Sequence, residues 1–287
     1  MIWVNALVAG VLLGGLYALF ACGLSLMYGV MGIINLAHGD LAVLGAYLVF
    51  VLSSALGIPP FVALPGAVIL MGGLGYILQR TMLERSLKAG PLVPLLTTFG
   101  LAIVIQNLLL QVFTSDSRSL DAGALTTASI QITEITIPLL GIVIFLVAIC
   151  LLGGLQLFLA RTSLGRSMQA TAQDSDTAEL IGIDSKQMYA LATAIAVGTV
   201  TIAGTFFAMR SSFGPLSGPS QLIFAFETVV IGGIGSLWGT LVGGIVLGVA
   251  QTVGAQINPQ SSILAGNLVF LTVLIVRNSR AFGRAGR

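Results

Sequence analysis

Stretch after stretch of this chain runs for about 20 residues with almost no charged side chain, the length an α-helix needs to cross a hydrocarbon core of ~30 Å. That feature constrains the fold more than any other. Backbone exposed to lipid must satisfy its own hydrogen bonds, so only helices and closed barrels span a membrane. A barrel strand alternates apolar and polar residues over about ten positions, whereas these runs are continuous. Only 8% of the residues are charged, against roughly 25% in soluble domains, too few to cover a surface that faces water on all sides. The expected fold is all-α: a polytopic transmembrane bundle of about 8–9 spans, some broken or half-helices, forming one domain over 1–287.

Apolar runs and Gly/Pro punctuation place the spans near 4–28, 34–55, 60–79, 94–114, 137–160, 187–210, 221–236, 238–257 and 261–277. The stretch at 221–236 is short enough to be a half-helix. No cleavable signal is expected ahead of the first span, because Met1 to Asn5 carries no positive charge and the apolar run that follows is full length.

Basic residues orient such a bundle. Arg80, Arg85 and Lys88 share one connection, Arg161, Arg166 and Lys186 another, and Arg277, Arg280, Arg284 and Arg287 the tail. The 115–136 loop sets Arg118 against Asp116, Asp121 and Glu134. Nine crossings, with the N-terminus outside and the C-terminus in the cytoplasm, put every basic segment inside. Glycines four apart (Gly10 and Gly14; Gly235, Gly239 and Gly243; Gly244 and Gly248) read as sites of close helix packing within the bundle.

Several chemistries are excluded. There is no G-x-x-x-x-G-K-[ST], so the chain cannot cradle a nucleotide phosphate by a P-loop. One His and two separated Cys rule out the usual zinc clusters. No serine sits in a G-x-S-x-G elbow, and a net charge of +2 is too small to suggest nucleic acid. The chain is expected to move a solute rather than transform one, and to bind no cofactor itself.

Two kinds of polar stretch remain to be explained. "RTSLGRSMQATAQDSDTAELIGIDSK", residues 161–186, is cytoplasmic by the charge rule and patterned like a folded element. Asp176 with Glu179 fits a capping box, Gly182 falls where a helix C′ residue belongs, and Ala178, Leu180, Ile181 and Ile183 supply an apolar side. Such a helix either lies on lipid or docks a cytoplasmic partner. Inside the apolar segments, Asn35, His38 and Asp40 are bracketed by Gly32, Gly39 and Gly45, Gln106 and Asn107 fall mid-span, and Glu227 follows the break at "FGPLSGPS". Polar side chains there face a cavity or a partner, because burying a charge in lipid costs about 2.5 kcal/mol or more. Asn35, His38 and Asp40 either line a path through the membrane or cap and flank the start of the second helix. Gln106 and Asn107 either bond neighbouring helices or line the same path. Arg210 either pairs with Glu227 or stays in external water.

Four stretches carry a resemblance: "GIINLAHGDLAVLGAY" at 32–47, "LLTTFGLAIVIQN" at 95–107, "TSLGRSMQATAQDSDTAELIGID" at 162–184 and "VVIGGIGSLWGTLVGG" at 229–244. In that order they resemble the permease subunits of bacterial branched-chain amino-acid ABC importers, which share much of this pattern with urea and short-amide importers. The resemblance implies an inner-membrane complex of two permease subunits (the second a homologous, different chain), two cytoplasmic ATPases that bind the ATP, and a periplasmic substrate-binding protein. It also implies that loop 161–186 contacts an ATPase, through Gly165, Arg166, Asp174, Ala178, Glu179 and Gly182. "TAELIG" departs from the E-A-A–G pattern of other ABC importers. A reading from another class is an ion-coupled transporter or channel that uses Asp40 and Glu227 as coupling carboxylates.

Overall fold

Apolar runs with no water to bond their backbone close into helices, and the computed structural model, which describes residues 2–87, 89–90, 92–132 and 135–285, is built almost wholly of them. Lys88, Glu134 and Arg287 lie outside the described residues, as do the side chains of Arg280 and Arg284. The long elements are α1 (Ile2–Met31), α2 (His38–Leu56), α3 (Pro60–Leu87, with a π-turn at Gln79–Leu83), α4 (Val93–Phe113) and α5 (Leu139–Arg161). Two short helices, α6 (Ser163–Gln173) and α7 (Ser175–Leu180), precede α8 (Ser185–Arg210), α9 (Gly218–Gly232), α10 (Leu237–Ile257) and α11 (Ser261–Ala285).

Seven of these are long and apolar enough to cross a membrane: α1 to α5, α8 and α10. The 15 residues of α9 rise only about 22 Å, too short for a crossing, as the run at 221–236 suggests. The long loop before α5 holds a small antiparallel hairpin, β1 (Ser129–Ile132) with β2 (Ile135–Pro138). The fifth span thus starts at Leu139, after the β-branched Ile135-Thr136-Ile137 has paired as strand.

α1 and α8 are the buried axis, and the other elements wrap them. α1 and α10 touch along the predicted glycines. A Cβ on Gly14 would come within 2.5 Å of the Ile245 Cα, and one on Gly10 within 2.6 Å of the Val249 Cα. Here backbone approaches backbone, and dispersion replaces the hydrophobic drive that lipid removes. At the end where α1 stops, Glu84 lies 3.6 Å from Arg80 and 3.7 Å from Lys186. This end, the basic face, also carries α6 and α7. The opposite face carries the β-hairpin and the end of α8, where Arg118 and Phe213 exchange backbone hydrogen bonds of 2.8 Å.

Two chain breaks shape the interior. After α1 ends, Gly32 (φ +67°) turns residues 32–37 back alongside it. α2 therefore starts beside Phe20, roughly 17 Å before the end of α1. From there α2 runs to the hairpin face, where Tyr47 meets Phe113 and Phe213. After α8, residues 211–217 fold inward and α9 begins against the start of α2. A Cβ on Gly39 would lie 2.9 Å from the Gly218 carbonyl carbon. α9 then runs to the basic face, where the Arg277 guanidinium donates to the Val230 carbonyl at 2.6 Å and so caps the negative end of the helix. α2 and the short α9 leave one interior junction in opposite directions.

Candidate functional site

Inside that junction the Asn35 side-chain oxygen accepts from the Ala37 N–H at 3.0 Å, an Asx turn that launches α2. Ala37, not Asn35 or Asp40, is the N-cap, and it makes no side-chain cap bond. His38 is fully buried, its Nε2 3.0 Å from the Phe20 carbonyl. It reaches that carbonyl because Gly23 lacks a side chain: a Cβ there would stand 2.9 Å from the His38 ring. His38 thus flanks the start of α2 from inside the bundle. Asp40, 2% exposed, accepts from Gln106 Nε2 at 3.0 Å. Its carboxyl carbon also abuts Gly218, 2.6 Å from where a Cβ would be. As third residue of α2 and neighbour of the first residue of α9, Asp40 puts a carboxylate near two positive helix ends.

Gln106 thus makes the interhelical bond considered for it. Asn107 does not: it bonds the Ile103 carbonyl of its own helix at 2.8 Å and is exposed. Glu227 lies away from this junction, among α1, α10 and α11. With the Asn267 amide oriented to satisfy its neighbours, its nitrogen donates to Glu227 Oε1 at 2.8 Å and to the Ile263 carbonyl at 3.2 Å. No ion pair joins Glu227 to Arg210 among the described residues. The Tyr17 hydroxyl donates to Gln251 Oε1 in the same region. Sequence reading missed Tyr17, Gln251 and Asn267. The available signal was an amide at 251 in an otherwise charge-free helix, the argument that did single out Gln106.

The 161–186 segment folds as two capped helices at the basic face. Thr162 caps α6, its hydroxyl accepting from the Gly165 N–H at 2.9 Å. Gly165 lets α6 lie against the end of α5, since a Cβ would come within 2.5 Å of the Leu159 Cα. Arg166 donates to the Arg161 carbonyl at 3.2 Å, a basic group on the carbonyl end of α5.

The predicted capping box is displaced. Asp174 is the N-cap of α7, accepting from the N–H groups of Asp176 (3.0 Å) and Thr177 (3.2 Å) and from the Thr177 hydroxyl (2.6 Å). The hydroxyl bond, then the backbone bonds, hold the Asp174 carboxyl below its ordinary range. Asp176 falls inside the first turn, which leaves Glu179 too far along the helix to return a capping bond. Gly182 does occupy C′, at φ +87°, with Ile183 N–H bonded to Ala178 O (3.0 Å) and Gly182 N–H to Glu179 O (3.1 Å), a Schellman closure. The apolar residues divide: Ala178 is buried, while Leu180 and Ile181 stand 86% and 72% exposed.

Residues 6–276 match the family described as branched-chain amino acid transport system / permease component. The high-affinity branched-chain amino acid transport system permease protein BraD of Pseudomonas aeruginosa is 31% identical, covering 98% of this chain and 96% of its own. The corresponding protein LivH of Salmonella typhimurium is 30% identical, covering 96% and 94%, and LivM of Escherichia coli 25% identical, covering 90% and 66%. Among solved structures, PsaBC from Streptococcus pneumoniae in complex with Fab aligns with 94% of this chain and 89% of that one at 18% identity and a TM-score of 0.48. With glycine-packed apolar helices, two interior chain breaks and a capped polar loop, and with relatives that match it nearly end to end, the chain belongs to the branched-chain amino acid transport permease family.

Proposed function

We propose that this chain is a permease subunit of an ATP-driven importer that carries branched-chain amino acids inward across a bacterial inner membrane. The α6–α7 hairpin docks a separate cytoplasmic ATPase. The observation that carries this reading is the build of that hairpin: each helix has its own side-chain cap, α7 has a Schellman closure, and Leu180 and Ile181 stand bare at its tip. A connector between two spans needs none of these. Two exposed aliphatic side chains beside a stiff turn suit an apolar socket on a soluble partner.

In this reading the basic face is cytoplasmic, and a second, homologous permease subunit completes the path. Similarity to both LivH- and LivM-type relatives supports such a pair. A periplasmic binding protein delivers substrate, and two ATPases bind the ATP. The junction of Asn35, His38, Asp40 and Gln106, with Asn107 and Glu227, lies along or gates the path. Two helices that begin at one interior junction form an element that a docked ATPase can bias.

The test is purification of the assembled complex from native membranes and reconstitution in vesicles. Leu180→Asp and Ile181→Asp are expected to insert normally but to lose ATPase copurification and ATP-driven leucine uptake. Uptake by the chain without any ATPase, driven by a proton or sodium gradient, would instead establish the ion-coupled reading.

A further inference from the structure

Between α3 and α5, over one face of α8, lies an open groove of about 560 Å³ walled by Val68, Leu151, Leu155, Phe158, Ile195 and Ile202. Its depth comes from missing side chains. A Cβ on Gly154 would meet nothing within 4 Å, and one on Gly198 only Val68, from 3.4 Å. The one hydroxyl in the wall, on Thr199, already donates to the Ala196 carbonyl at 2.8 Å. Such a wall offers water nothing to bond, and left empty it forfeits dispersion contacts. In a chain that spans a membrane, an acyl chain fills it without needing a polar partner.

Charge at the groove's mouth selects the kind of lipid. Leu151, Leu155 and Phe158 follow one another at helical spacing on α5, and Arg161, its last residue, continues that side about 4.5 Å beyond Phe158. Arg161 is exposed, and its side chain has no partner among the described residues. Arg166 reaches the same helix end, and its bond to the Arg161 carbonyl uses one of five donors. Among the acids of the basic face, Glu84 lies with Arg80 and Lys186, while Asp174 and Asp184 cap α7 and α8. Orientation in the membrane accounts for basic residues on this face in general, and the carbonyl end of α5 accounts for Arg166. Neither accounts for an apolar cleft that ends beneath two cations with donors to spare.

We propose that the groove holds an acyl chain of an anionic phospholipid whose phosphate lies against Arg161 and Arg166. The lipid then braces the joint at Gly165, where α6 meets α5, and so ties anionic lipid to the coupling of ATP hydrolysis to transport. That consequence rests on the importer reading above, whereas the binding itself does not.

Photolabelling of the purified permease–ATPase complex tests the site. Phosphatidylglycerol and phosphatidylcholine carry the same photoactivatable acyl chain, and labelled peptides are mapped by mass spectrometry. Phosphatidylglycerol is expected to label Leu151–Phe158 and Ala194–Ile202 several-fold more than phosphatidylcholine. Arg161→Gln should lower that preference about 5-fold, and Arg161→Gln with Arg166→Gln should remove it. Gly198→Leu, which fills the groove, should block labelling there by both lipids. Labelling of α11, whose Leu264, Leu268 and Leu271 face outward, should be unchanged in every variant. Equal labelling by the two lipids, a preference that survives loss of both arginines, or disulfide capture of Ile195→Cys by another protein chain would overturn the site. Leucine uptake is measured in parallel in phosphatidylcholine vesicles with and without phosphatidylglycerol. ATP-driven uptake that ignores the anionic lipid refutes the brace, whereas no ATP-driven uptake in either vesicle refutes the importer reading and leaves the lipid site standing.

Discussion

Gly165 is where the α6–α7 hairpin is fastened to the bundle, and a methyl group there should act through that joint. The Cβ of Gly165→Ala would stand 2.5 Å from the Leu159 Cα and 2.8 Å from its carbonyl oxygen, where ordinary contact begins at 3.4 Å. The Phe158 carbonyl oxygen is nearer still, and all three obstacles are backbone, so no side chain can rotate away. α6 must therefore lift from α5 by at least about 0.9 Å. Overpacking of this kind costs about 1–3 kcal/mol, and the gain in helix propensity from Gly to Ala returns about 1 kcal/mol. The net effect for alanine is about 0–2 kcal/mol. At 2 kcal/mol the seated population of α6 falls roughly 30-fold relative to the lifted one. Gly165→Val, bulkier and β-branched, should exceed this. Because the joint lies at the margin of the bundle, both variants should insert and express like the wild type. Leucine transported per ATP hydrolysed in vesicles should fall in the order Gly, Ala, Val, and amide-exchange protection over Ser163–Gln173 should fall with it. Gly154→Ala, also on α5 but with nothing within 4 Å, is the control. A valine variant with wild-type coupling and protection would refute the claim that this contact positions the hairpin.

Asp174→Ala should unfasten the start of α7, seen as lost protection of the Thr177 amide and weaker ATPase binding. Since hydrogen bonds hold the folded Asp174 carboxyl below its ordinary range, the cap's contribution is complete above the unfolded value and is lost only as pH falls through the lower, folded one. Wild-type protection, corrected for intrinsic exchange, should thus persist down to about pH 4, and its disappearance above about pH 5 would contradict the assigned cap. In the interior, Gln106→Ala removes the donor to Asp40. A hydrogen bond to a charged group is worth about 1.5–3 kcal/mol, so the solubilised complex should melt roughly 3–12 °C lower. An unchanged melting temperature would show that the carboxylate does not need that amide.

Composition and the length of the apolar runs determined by themselves that this chain is a helical membrane bundle, because lipid offers the backbone no partners and only a few geometries meet that demand. The four-residue glycine spacing likewise marked sites of close helix packing, since spacing on a helix is a local property, while the structure decided that α1 and α10 are the helices that meet there. The position of Gly182 was legible for the same reason: a C′ residue is set by its immediate neighbours. The N-cap of α7 was not, because Asp174 and Asp176 are both capping residues and the choice lies in where the chain turns after α6. The polar residues were visible in the sequence as types but not as partners. That Asp40 meets Gln106, that His38 reaches the Phe20 carbonyl, and that Glu227 turns to Asn267 rather than Arg210 follow from how residues 32–37 and 211–217 fold back into the bundle. Those contacts span up to 66 positions of sequence. Local sequence does not encode them, because each joins two different helices, α2 with α4, α2 with α1 and α9 with α11, whose approach is fixed by tertiary packing.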